Sequence, residues 1–228
     1  MSTNSLQLYF DFLSQPSRAL YIILKTSGTP FEECLINLLQ GDNLSEEYKS
    51  EINRFQKAPA IIHGTFKLAE SIAILRYLTA KGCVSSYFYP SDLKKRARID
   101  EFLSWQHNGV RSSCSLYFRF TWVQAKITGS QAADGKVAKY KLEMERDLQT
   151  IETLWLEKNL FLTGDELTAA DVFGACEVEQ LRVTGYNVRE KFPKVFNWIQ
   201  LVRQQLQPHY DIAHRTVYQY EKETLAKL

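Results

Sequence analysis

The sequence predicts a small α/β domain followed by a larger all-helical one, and three observations carry that prediction. Residues 1–84 alternate short apolar runs at strand spacing with helical runs, in the order βαβ and then ββα. The stretch 83–92 (CVSSYFYPSD) breaks every periodicity and contains Pro90, which places a linker at 85–92. Over 93–228 the apolar residues recur only at helical steps, with no alternating strand pattern.

Taken in order, Leu6–Phe10 reads as a strand. Residues 16–27 read as a helix with Ala19, Leu20, Ile23 and Leu24 on one face, stopped by Gly28. Cys34, Ile36 and Leu38 sit at strand spacing within 31–39, and the polar stretch 41–54 leaves room for one short helix. Ala60-Ile61-Ile62 and Phe66-Lys67-Leu68 flank His63-Gly64-Thr65, a hairpin in which Gly supplies the turn. Ser71–Ala80 is helical again, so the sheet is mixed in its pairing. Asp92 is placed to cap the first helix after the linker. Val137, Tyr140, Met144, Leu148, Ile151 and Trp155 then form the longest unbroken helical series, and Val195, Ile199, Val202 and Leu206 repeat the pattern.

Composition narrows the function classes. A net charge of +2, with basic and acidic residues interleaved, gives no footprint for nucleic acid or a membrane surface. No apolar run approaches the ~20 residues of a membrane-spanning helix. Residues 1–10 (MSTNSLQLYF) lack the basic start and apolar stretch of a secretory signal. Cys34, Cys83, Cys114 and Cys176 are widely spaced and read as reduced, mostly buried thiols, which points to the cytoplasm. His63, His107, His209 and His214 show no ligand spacing beyond a His209/His214 pair, so no metal is expected.

Three local features bear on chemistry. Pro16 suits a first helical position and places Ser14 at a helix N-terminus, where unpaired N–H groups favour an anion. Ser14 or Gln15 at that point serves either as a helix cap or as a donor to such an anion. Lys57-Ala58-Pro59-Ala60 puts a proline at a strand start. A cis Ala58–Pro59 bond would turn the Ala58 backbone outward, although spacing alone does not select cis. Glu70-Ser71 opens a helix directly after a strand. The pair offers a carboxylate for an ammonium group and a hydroxyl for a carboxylate, or else an ordinary cap. Farther on, Thr168 and Asp171 have the spacing of a capping box, a folding element rather than a site.

Together these features resemble the glutathione transferases, and the wording is closest to their theta class. The blocks are Ser-Gln-Pro-Ser-Arg-Ala at 14–19, Glu-Ser-Ile-Ala-Ile-Leu-Arg-Tyr-Leu at 70–78, and Arg-Ala-Arg-Ile-Asp-Glu-Phe-Leu-Ser-Trp-Gln-His at 96–107. Phe161-Leu162-Thr163-Gly164 with Thr168-Ala169-Ala170-Asp171 adds a fourth, so the likeness spans nearly the whole chain. The resemblance implies a thioredoxin-like glutathione domain before a helical-bundle domain that contributes an electrophile pocket. It implies glutathione as co-substrate, a hydrophobic electrophile as partner, conjugation or hydroperoxide reduction as chemistry, and a homodimer.

By the same resemblance Ser14 holds the glutathione sulfur and Arg111 is aimed at the active site; without it, Arg111 reads as a solvated surface residue. Asn43, Lys57, Ala58, Pro59, Glu70 and Ser71 form the implied glutathione-binding set. Gln15, Asn108, Ser115 and Phe118 are expected in the electrophile pocket, the last three sharing a helical face with Arg111 by spacing. Phe118 reads equally well as core between helices.

Two departures stand out: Asn43 occupies a place where theta-class sequences often carry His, and the chain ends at Leu228, short of a further helix of mammalian relatives. Asn43 implies weaker glutathione binding, and the short end implies a more open pocket. A non-enzymatic glutathione-binding or scaffolding protein of the same fold is the rival reading. A zeta-type isomerase is a poorer match, because Ser14-Gln15-Pro16 is not Ser-Ser-Cys.

Overall fold

The computed structural model describes residues 5–226. Strand β1 (Leu6–Phe10) leads through a tight turn into α1 (Gln15–Thr26), then β2 (Glu32–Leu35) and α2 (Glu46–Glu51). Strands β3 (Ala60–His63) and β4 (Phe66–Ala69) form the hairpin, and α3 (Ser71–Ala80) closes the first unit. The sheet order is β2-β1-β3-β4, with β1 and β2 parallel and the other two pairings antiparallel. The strand expected over 31–39 is shorter than its pattern. It pairs with β1 only to Leu35, and Asp11 then captures Leu38 N–H at 2.8 Å, turning the chain away from the sheet.

The helical unit runs α4 (Leu93–Asn108), α5 (Val110–Phe118), α6 (Gln124–Thr128), α7 (Asp134–Thr150), α8 (Ala169–Glu179), α9 (Val188–Lys191), α10 (Pro193–Gln205) and α11 (His209–Leu225). Wider π-type turns, Arg119–Val123 and Ile151–Trp155, follow α5 and α7. Asp92 caps α4 by accepting Lys95 N–H at 2.9 Å. The segment before it is no slack tether: Phe88 and Tyr89 are buried, and the Phe88 carbonyl accepts Ala169 N–H at 2.8 Å.

Helix α8 is the centre of the molecule, with every residue buried. Its N-terminus is built on the Asp171 carboxylate. Oδ2 accepts Thr168 N–H at 2.8 Å and the Thr168 hydroxyl at 3.1 Å, while Oδ1 accepts Leu162 N–H at 2.7 Å and the Trp198 indole at 2.9 Å. Burial pushes this carboxyl up to about 6 against those four donors, so it is ionised at neutral pH. Gly174 lets α8 approach its neighbours, since a Cβ there would meet Leu162 and Phe102 at 3.0 Å.

Helix α1 is buried from Gln15 through Leu24 because it lies between the sheet unit and the helical unit, packed on α8 and α11. This join positions the candidate site. Arg18 is fully buried there, donating from Nη1 to the Phe12 carbonyl at 2.7 Å and from Nη2 to the Cys176 carbonyl at 2.8 Å. Burying a cation is costly unless it is hydrogen-bonded; here Nη1 and Nη2 both meet fixed backbone carbonyls, while Nε has no partner among the described residues.

Candidate active site at the serine turn

Ser14 is the N-cap residue of α1, with extended backbone angles and Pro16 in the first turn. Its side chain makes no capping hydrogen bond. The residue is 8% exposed, and its hydroxyl lies 3.5 Å from the Ala58 carbonyl, at the outer limit of a hydrogen bond. It is therefore barely committed, in front of a helix N-terminus whose first N–H groups lack intrahelical partners. The turn is held from behind: Asp11 accepts Leu13 N–H through Oδ1 at 2.8 Å, and the Asp11 carbonyl accepts Ser14 N–H at 3.0 Å.

The Ala58–Pro59 peptide is cis. The loop before it is braced at the Lys57 carbonyl by the Tyr48 hydroxyl at 2.9 Å and by the Asn53 amide at 2.6 Å. Burial pushes the Tyr48 phenol up to about 12, so it stays a donor. Asn43 donates through Nδ2 to the Gln56 carbonyl at 2.7 Å, so part of its hydrogen-bonding capacity already supports this loop. The Lys57 side chain is exposed and makes no ion pair among the described residues.

Glu70 precedes α3 in the left-handed region, at φ 68°, and its carboxylate makes no capping bond. A residue that bears a Cβ rarely adopts that conformation, and strain of this kind concentrates at functional sites. Ser71 is buried beside it at the first position of α3. Ser14, Glu70 and Ser71 thus come from the strand–helix junctions after β1 and β4, and Ala58 from the loop that enters β3.

Across the join, Gln15 Nε2 donates to Ser115 Oγ at 3.2 Å. One turn earlier on α5, Arg111 Nη1 donates to Glu177 Oε1 at 2.7 Å; the arginine side chain is 30% exposed and the glutamate 1%. Phe118 is buried in a small apolar cluster with Leu13, Val183 and Val217, and stacks on Trp122 with ring centroids 5.5 Å apart. Leu39, Trp122 and Tyr220 are half-buried around it.

A sequence model of the glutathione S-transferase N-terminal domain matches residues 6–80, and one of the glutathione S-transferase C-terminal domain matches residues 134–201. Human glutathione S-transferase theta-1 is 39% identical over 200 residues, covering 86% of this chain and 82% of the relative. The chain belongs to the theta class of the glutathione S-transferase family. Mouse glutathione S-transferase theta-2 is 37% identical over 193 residues, 85% of this chain and 78% of its own. Among solved structures, apo human glutathione-S-transferase T1-1 superposes with a TM-score of 0.90 at 36% identity, covering 96% of this chain and 91% of that one. Human glutathione transferase theta-2 in complex with glutathione gives 0.90 at 33%, covering 98% and 91%.

In this transferase one expected pocket residue stands apart. Asn108 lies on the α7 side, sharing a cavity of about 140 Å³ with Ser112, Ser113, Glu143, Arg146 and Asp147. By spacing, Asn108, Arg111, Ser115 and Phe118 share one face only if the helix is continuous. It breaks at Gly109, whose ψ of −123° resets the phase between α4 and α5. His107, next to Asn108, feels the cleft instead: burial and the Arg111 guanidinium push its pKa down, and the Glu70 carboxylate pulls it up. The residues expected at the site from the sequence do not include His107, Trp122 or Tyr220. Trp122 had a signal, since it continues the four-residue step from Phe118.

Among the described residues no cluster of His, Cys, Asp or Glu is arranged to hold a metal, and no helix is long and apolar enough to cross a membrane. His214 is buried with Nδ1 2.8 Å from the Tyr210 carbonyl, and His209 does not join it in a ligand set. Cys114 and Cys176 are buried free thiols; Cys34 and Cys83 are half-buried and also unpaired.

Proposed function

We propose that this transferase conjugates the thiolate of glutathione to hydrophobic electrophiles, with the Ser14 hydroxyl donating a hydrogen bond to the sulfur. The observation that carries the reading is the uncommitted Ser14 hydroxyl at the N-terminus of α1. A free thiol with a pKa of ~8.5 is only ~3% ionised at pH 7. Lowering it by ~2 units gives roughly three-quarters thiolate and takes ~2.7 kcal/mol of preferential stabilisation. One hydrogen bond to the charged sulfur supplies ~1.5–3 kcal/mol. The helix terminus adds ~0.3–1 kcal/mol. These two terms meet the requirement without a general base, and the rate gain is then positional and electrostatic.

In the same reading the cis Ala58–Pro59 junction offers the Ala58 backbone to the cysteinyl unit. The free Glu70 carboxylate takes the γ-glutamyl ammonium, and Ser71 with the α3 N-terminus takes its carboxylate. Lys57 and the remaining Asn43 amide hydrogen face the glycyl carboxylate. Gln15, Ser115 and Phe118, with Trp122 and Tyr220, border the electrophile, and Arg111 supplies a cation whose charge is partly balanced by Glu177. Reduction of hydroperoxides follows from the same thiolate. A cytoplasmic detoxifying homodimer fits this chemistry, and Phe55 and Phe66, 51% and 46% exposed, are apolar surface that a second copy would cover.

The test is steady-state conjugation of glutathione to a chromogenic aralkyl halide, in the natural protein and in Ser14→Ala. Turnover by the first and a loss at pH 7 of up to about 25-fold in the second, the ratio of three-quarters to ~3% thiolate, support the reading. Binding of glutathione without turnover in either protein would leave only a glutathione-binding role.

A further inference from the structure

Arg111 is an awkward residue for its position. It sits in the first turn of α5, where the helix dipole repels a cation, and that turn contains no acidic residue to offset it. Left to itself, a guanidinium there would swing into solvent. Instead it is tied back by Glu177, whose carboxylate is almost fully buried on α8. Glu177 Oε2 has no hydrogen-bond partner among the described residues, so this carboxylate is not placed to satisfy its own hydrogen-bonding needs. Burial pushes its pKa up, and the Arg111 and then the Arg18 charges pull it back down.

The residue before Glu177 is the other half of the observation. The Cys176 carbonyl accepts Arg18 Nη2 at 2.8 Å, and the other arm of Arg18 holds the Phe12 carbonyl at 2.7 Å, two residues before Ser14. Two consecutive residues of α8 therefore fix both sides of the cleft. The Cys176 backbone holds the serine turn, and the Glu177 side chain holds Arg111, one helical turn before the Ser115 that meets Gln15. Because α8 is buried throughout, this reference point is rigid.

We propose that Glu177 is the positioning residue for Arg111, holding its guanidinium at a set place relative to Ser14 and the reacting sulfur. The proposal rests on the reading of Arg111 as the cation beside the thiolate. Only one guanidinium nitrogen is spent on Glu177, so the remaining N–H groups are free to meet negative charge in the cleft. A purely structural ion pair behaves differently. Buried pairs are often replaced by apolar residues without loss of stability, and removal of one would not act through the other on turnover.

The experiment is a double-mutant cycle with Glu177→Gln, Arg111→Ala and the double variant, reading kcat, KM for glutathione, and the pH dependence of bound-thiolate absorbance. Glu177→Gln is near-isosteric and should lower kcat about tenfold while KM for glutathione stays within about twofold. In the Arg111→Ala background the same substitution should change kcat by less than about twofold, because the residue it positions is gone. An equal loss of kcat in both backgrounds overturns the proposal, as does an unchanged kcat in Glu177→Gln. Should Glu177→Gln fail to fold, Glu177→Asp keeps the charge, withdraws it from Arg111, and enters the same cycle with the same expectations. If Arg111→Ala keeps full kcat while Ser14→Ala loses it, the place given to Arg111 is wrong and the proposal falls with it, leaving the Ser14 reading intact. If Ser14→Ala is also fully active, it is the functional reading itself that fails.

Discussion

Replacing Arg18 by Met removes a fully buried guanidinium that ties the Phe12 carbonyl, in the serine turn, to the Cys176 carbonyl on α8. Two charge-assisted hydrogen bonds are lost, each worth ~1.5–3 kcal/mol, and both carbonyls lose their side-chain donor. Relief of the buried charge offsets part of this, and Met fills most of the volume. Two buried acceptors that lose their donor cost ~1–3 kcal/mol each, so the net cost should be ~3–5 kcal/mol. At ~2–4 °C per kcal/mol for a chain of this size, the melting temperature should fall by about 6–20 °C. Arg18→Lys should fall between the two, since one ammonium cannot span both carbonyls as the guanidinium fork does. Urea denaturation monitored by tryptophan fluorescence, alongside a glutathione titration of the folded protein, measures both the stability and the turn. A cost below ~1 kcal/mol for Arg18→Met would refute the reasoning, because surface substitutions already reach that range.

Thr168→Ala should lower stability by ~1 kcal/mol and leave turnover unchanged, since Thr168 serves the α8 cap and not the cleft; equal melting temperatures would contradict this. Phe118→Leu keeps the apolar cluster filled and should change relative rates among electrophiles more than glutathione affinity; the reverse ranking in kcat/KM and Kd would count against its place in the pocket. His214 is held neutral, its pKa pushed well below the usual value by burial and then by Arg18. A depressed histidine binds its proton in the unfolded chain first, so its contribution to stability is full above ~6.5 and falls by up to ~1.4 kcal/mol per pH unit below that. Replacing it by Gln should flatten the stability profile between about pH 6.5 and 5, and parallel profiles for the two proteins would exclude the assignment.

The parts of this site that sequence reading reached are those written locally. Ser14 and Pro16, Glu70 and Ser71, and Pro59 each sit at a strand–helix or loop–strand junction, where residue type and position together fix the backbone. Even there, the choice between cap and donor for Ser14 was not legible. It depends on whether the hydroxyl turns to its own helix or to Ala58, a residue 44 positions away. Asn108 went astray for a local reason, the break at Gly109, where a single backbone angle defeats a periodicity argument. The second tier of the site was hidden by distance: Arg18 meets Cys176 across 158 residues and Arg111 meets Glu177 across 66. Its trace in the sequence is two acids, Glu177 and Glu179, inside an otherwise apolar run, and an arginine within a helix buried on every side. Charges in such places need partners, although the sequence does not say which.

The central claim is that one hydroxyl shifts the ionisation of bound glutathione. It is tested most directly by titrating the ultraviolet absorbance of bound thiolate against pH in the natural protein and in Ser14→Ala. The thiol pKa should lie about 2 units below ~8.5 in the natural protein and return toward ~8.5 in a mutant that still binds glutathione. A thiol pKa equally depressed in both, or unshifted in both, would contradict that claim.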